Sequence, residues 1–149
     1  MENIAVFVND VANARHILQP MVGATGPTHW VVVACPPTLT RHIGRWVSQE
    51  ARRQWRERWG AELFAALEPA LKARADSRVE TLIAYRPLVA VSARLAARLP
   101  RLRLLDARRA SVGRVDEPVS ATQPGPIASP WAASVTATAG VSLELTLAD

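Results

Sequence analysis

Apolar positions fall into short blocks whose period changes along the chain. Ile4-Ala5-Val6-Phe7-Val8 is a continuous run rich in branched side chains, and it stops at Asn9-Asp10. Such a run predicts a strand buried on both faces, as in parallel sheets. Asn9 or Asp10 then offers a cap for a helix. Its apolar stripe is Val11, Ala14, Leu18 and Met21, at spacings of three and four. Pro20 and Gly23 are expected to end that helix. Trp30-Val31-Val32-Val33-Ala34 is a second buried run, closed by Cys35-Pro36-Pro37. Strand, helix and strand in this span require a right-handed crossover between parallel strands.

A long helical stretch is predicted from Arg41 to Ala75, where Ile43, Val47, Ala51, Trp55, Trp59, Leu63, Leu67 and Leu71 recur every fourth residue. Gly60 and Pro69 interrupt it, so two pieces or one bent helix are expected. Arg78 to Ala84 reads as a third strand. Pro87 suits the first turn of a further helix, with Leu88, Val91, Leu95 and Leu99 as its buried stripe. Leu102 to Leu105 is a short fourth strand ending at Asp106. Residues 110–130 are rich in Pro, Ser and Ala and read as a long mobile loop. Val141 to Leu147 then alternates apolar and polar residues, the pattern of a terminal edge strand. The order βαβαβαβ, loop, β predicts one α/β domain over residues 1–149. Its architecture would be a doubly wound, mostly parallel five-stranded sheet with helices on both faces.

The 149 residues, 49% of them hydrophobic, suffice for one core without a disulfide or metal staple. No apolar run approaches the length of a membrane span, so no membrane partner is expected. The net charge of +5 is carried by arginine, Lys72 being the only lysine. Basic charge favours nucleic acid or other anions, although abundant Arg and Ala together also follow from GC-rich coding. Cys35 is the single cysteine, which excludes an intrachain disulfide and a cysteine zinc site. With an acidic residue at position 2 and no long apolar leader, a cytoplasmic location is expected.

The element order and several local features are similar to the universal stress protein family. The opening strand closes on Asp10, and the second strand runs into Pro36-Pro37 before a long helix. Val79-Glu80-Thr81 and Arg86-Pro87 are similar to the family's third strand and its exit, with Tyr85 where a glycine stands. The resemblance implies strand order 3-2-1-4-5 and a homodimer paired through the terminal strand. It also implies ATP held by a glycine pattern after the fourth strand. Here Asp106 and Arg109 occupy the two leading glycine places, and only Ser120 matches. A carboxylate repels phosphate, and side chains obstruct the close backbone approach that glycine permits. No cofactor is therefore expected, ATP or another nucleotide being the only candidate.

Open α/β sheets bind ligands where the strand order reverses. That reversal would gather Asn9, Asp10, Asp106, Arg108, Arg109 and Ser120 into a candidate crevice. It would be either an anion or nucleotide pocket, or a closed notch where Asp10 caps a helix and an arginine neutralises Asp106. A second candidate is the interleaved stretch Arg52, Arg53, Trp55, Arg56, Arg58 and Trp59. It would contact nucleic acid, or else be a solvated face backed by core tryptophans. Cys35 has no spacing to a base, and His16, His29 and His42 do not make a metal set. The function expected is thus a non-catalytic, universal stress protein-like regulatory or stress-related domain. The alternatives are an arginine-rich nucleic-acid- or anion-binding module and a nucleotide-binding protein using the crevice.

Overall fold

The computed structural model describes residues 1–37, 46–85, 87–110 and 116–122. Four strands and three helices alternate: β1 (Glu2–Val8), α1 (Val11–Ala24), β2 (Thr28–Ala34), α2 (Gln49–Leu71), β3 (Arg78–Ile83), α3 (Leu88–Arg98) and β4 (Leu102–Asp106). The strands form one parallel sheet in the order β3-β2-β1-β4. The described residues therefore give an α/β fold with four strands rather than five. The expected strand Val141 to Leu147 lies outside the described residues, as do 111–115 and 123–130 of the expected loop.

The two all-apolar runs became the two central strands. Every residue of β2 is buried, and so are Ile4 to Val8 of β1. Pleating sends alternate side chains to opposite faces. Ile4, Val6, Val8, Trp30, Val32, Ala34 and Leu105 pack with Ala14 and Leu18 of α1 and with Leu63, Leu67 and Leu71 of α2. Ala5, Phe7, Val31 and Val33 pack on the other side with Leu88, Val91 and Leu95 of α3. Edge strand β3 is only half covered, and Leu82 on it is exposed.

Pro20 does not end α1, contrary to expectation; the end falls one residue past Gly23. The helix continues to Ala24 and closes with Thr25 N–H donating to the Met21 carbonyl at 2.9 Å. Met21 and Val22 still lie against the core, and that packing outweighs the hydrogen bond Pro20 cannot make. Likewise α2 passes through Gly60 and Pro69 as one helix. It starts at Gln49, where the Ser48 hydroxyl accepts from Ala51 N–H at 3.1 Å, and residues 41–45 of the expected stretch lie outside the described residues.

A strict four-residue spacing drifts about 40° per step around a 3.6-residue helix. The stripe therefore cannot face the sheet along its whole length. Leu71, Leu67 and Leu63 are buried and Trp59 is partly so, but Trp55 is half-exposed and Ala51 is exposed. At Gly60 the helix backbone meets β3, because a Cβ there would stand 2.8 Å from Ile83 Cδ1.

Candidate functional site

The carboxyl ends of β1 and β4 lie side by side, with Phe7 and Asp106 as register partners. Ala107 N–H extends the ladder by donating to the Phe7 carbonyl at 2.9 Å. Beyond it, polar side chains continue the pairing. Asn9 Nδ2 donates to the Arg109 carbonyl at 3.2 Å, and Asn9 Oδ1 accepts from Arg109 N–H at 2.6 Å. Asn13 Nδ2 donates to the Ala107 carbonyl at 3.0 Å. Asp10 is occupied as the cap of α1, its Oδ2 accepting from Asn13 N–H at 3.0 Å.

Asp106 and Arg108 form a two-pronged ion pair at the same place. Arg108 Nε and Nη2 donate to the two carboxylate oxygens, each at 2.9 Å. Only 9% of the Arg108 side chain is exposed. Burial opposes its charge, but the hydrogen bonds and charge of Asp106 outweigh that, and the guanidinium is held more firmly protonated. Arg108 Nη2 also donates to the Glu117 carbonyl at 2.6 Å.

Glu117 ties this pair to the second face. Its Oε1 accepts from Leu88 N–H at 2.7 Å, at the first turn of α3. Pro87, the N-cap, supplies no side-chain cap of its own, so a carboxylate from a distant loop satisfies an orphan donor and the positive helix end. Two residues on, Val119 is buried against Phe7 and Val33, and its carbonyl accepts from the Ser92 hydroxyl. Residues 116–120 are thereby fastened across the crevice. Ser120 Oγ lies 3.3 Å from Thr122 Oγ1, whereas Arg109 is exposed and, among the described residues, held through its backbone.

Cys35 ends β2 beside these charges. Burial pushes its thiol up to about 12; Arg108 pulls the other way, and Asp106 and Glu117 add to the rise. A thiol so held is not a nucleophile at neutral pH. Of the histidines, His16 is exposed, His42 lies outside the described residues and His29 is buried. His29 Nδ1 is 3.1 Å from Asn3 Oδ1, and its Nε2 is 3.3 Å from Glu80 Oε2. Arg98 donates to Glu80 at 2.6 Å and, with His29, holds that carboxyl below the usual carboxylate range. Among the described residues no three His, Cys, Asp or Glu side chains could hold a metal ion, and no helix is long and apolar enough to cross a membrane.

The arginines of α2 do not form one cluster. Arg52, Arg53 and Arg56 share a face at spacings of three and four. Together with Gln49, Glu50 and Tyr85 they line a groove of about 400 Å³. Arg58 lies about 200° further round the helix from Arg56. Trp59 is partly buried and packs against the core. Tyr85 was outside the sequence candidates because its place in the groove depends on where β3 ends.

No family model matches the chain, and no curated protein or solved structure matches it significantly.

Proposed function

We propose that this chain is a non-catalytic α/β interaction domain, universal stress protein-like in its strand order, that does not hold ATP in that family's manner. One observation carries the reading: Arg108 is spent on Asp106 and Glu117, and Glu117 in turn occupies the first turn of α3. On this reading the chain's own carboxylates and guanidinium take the place where a nucleotide's phosphates would meet backbone amides. Asp10 is likewise committed to α1. A cytoplasmic regulatory role and a homodimer paired through Val141 to Leu147 belong to the same proposal.

Thermal unfolding in a series of ATP concentrations tests it. No shift is expected. A ligand at 100 times its Kd stabilises the native state by about 2.7 kcal/mol, so a concentration-dependent rise in Tm would overturn the reading in favour of a nucleotide-binding crevice. For the dimer, Leu145→Arg is expected to halve the mass seen by light scattering.

A second reading, an arginine-rich nucleic-acid- or anion-binding module, is favoured by the groove that places Arg52, Arg53 and Arg56 beside Tyr85.

A further inference from the structure

We propose that this groove, between the N-terminal half of α2 and the β3–α3 connection, is a docking site for single-stranded nucleic acid. The inference rests on the second reading and names its ligand and its contacts. It is independent of the closed crevice.

Single strands are held by cations that follow the phosphates and by aromatic faces on which unpaired bases stack. Both elements are present on the surface here. Tyr85 is 53% exposed and Trp46 is 83% exposed, so neither ring serves the core. Tyr85 lines the groove itself, close enough to Arg53 for its phenol to bear on that guanidinium's charge. Trp46 precedes the Ser48 cap by two residues and so belongs to the same end of α2.

The cations differ in what they are free to do. Arg53 is held by Glu50 at 2.5 Å and by Glu57 at 3.0 Å. Arg56 makes no ion pair among the described residues, and with Arg52 it supplies the positive wall. Arg53 needs only to exchange a solvent-exposed carboxylate for a phosphate, a near-neutral exchange at a fully wet site.

Duplex DNA fits this arrangement poorly. Its bases are already stacked, so Tyr85 and Trp46 would have no partner, and the interaction would reduce to phosphate contacts alone. An acidic peptide would meet the arginines but gain little from the open Tyr85 ring face. An exposed ring lining the same groove as three arginines favours the single strand.

The test is fluorescence anisotropy of a labelled mixed-sequence 12-nucleotide DNA, titrated with the full chain at about 50 and 200 mM salt. Binding is expected to weaken with salt at a log–log slope of about −2, three arginines each contributing roughly −0.7 on single strands. Tyr85→Ala is expected to weaken binding about tenfold, with Tyr85→Phe restoring it, since the ring face and not the hydroxyl carries stacking. Arg56→Glu should weaken it at least tenfold. Arg58→Glu, on another face, should change it less than threefold. All three positions are exposed or half-buried, and circular dichroism checks that each variant keeps the fold.

No anisotropy change at low salt overturns the inference and the second reading together. If a duplex or poly-glutamate competes as well as the single strand, and Tyr85→Ala binds like the parent, only the inference falls and a general polyanion surface remains. Equal losses from Arg56→Glu and Arg58→Glu also overturn it, since binding would then be diffuse rather than seated in the groove.

Discussion

The Asn9 side chain is hydrogen-bonded through both its polar atoms to the backbone of Arg109, a residue 100 positions away in sequence. A carboxamide is shaped like a peptide group, so Asn9 acts as one more rung of the β1–β4 ladder after the backbone pairing has stopped. That rung, with Asn13 on the Ala107 carbonyl, fixes the path of residues 107–109 over the end of the sheet.

Asn9→Ala is therefore expected to lower stability by about 1 kcal/mol, the net worth of hydrogen bonds at an exposed site where water takes the lost partner's place. Asn9→Asp keeps an acceptor for Arg109 N–H but loses the donor to its carbonyl, and should fall between parent and alanine variant. Amide hydrogen exchange at Arg109 is the direct readout: it should accelerate strongly in Asn9→Ala while exchange in β2 is unchanged.

Removing the Arg108 side chain takes the guanidinium away from the half-buried Asp106 carboxylate, which keeps the residue-108 N–H. Arg108→Ala is expected to cost about 3 kcal/mol in urea denaturation, the low end for a broken buried pair because Asp106 keeps some contact with water. Replacing both members with apolar side chains, Asp106→Leu with Arg108→Met, should be nearly neutral, because neither charge then needs desolvating. If the double variant is as unstable as the single one, the pair is more than a mutual neutralisation.

Gly60 and Ile83 are coupled through space. Alanine normally stabilises a helix interior over glycine by about 1 kcal/mol. Here its Cβ would stand 2.8 Å from Ile83 Cδ1 and 2.9 Å from Cγ1. Overpacking of this kind costs roughly 1–3 kcal/mol, so Gly60→Ala should be neutral to destabilising. In an Ile83→Ala background the obstruction is gone, and the same substitution should become stabilising. A double-mutant cycle with no coupling energy would contradict the close packing of α2 on β3.

The Cys35 thiol is raised from its ordinary 9.0 to about 12, chiefly by burial. The native state then holds its proton more tightly than the unfolded chain. The resulting stability is fully present below pH 9 and is lost as the pH climbs toward 12. Cys35→Ala should unfold with a shallower alkaline slope than the parent. At pH 8 a disulfide reagent should label the native thiol roughly a thousandfold more slowly than the denatured chain, following the thiolate fraction.

The strands and helices up to Asp106 were legible because each depends on near neighbours in sequence. Unbroken branched runs gave β1 and β2, and the Leu88, Val91, Leu95 spacing gave α3. The errors came where tertiary contacts overrode local rules. Pro20 looks like a helix end, yet Met21 and Val22 still had a core to pack on. The stripe through Trp55 and Ala51 looked continuous until the drift of a four-residue period carried it off the core. In the crevice, Asp10, Asp106 and Arg108 could be named from strand ends and a glycine pattern. Asn13, Ser92 and Glu117 could not, because nothing near them in sequence marks their partners.

By itself, the order of apolar runs determined an alternating α/β chain with parallel strands, since burial on both faces and the length of the crossovers leave few other solutions. That Arg108 lays both nitrogens on the Asp106 carboxylate was decided only in three dimensions. The same holds for Glu117 on the first turn of α3 and for Tyr85 beside Arg53. The last two join residues about thirty positions apart. Their energies depend on distance and on exclusion of water, and a linear pattern of residue types encodes neither.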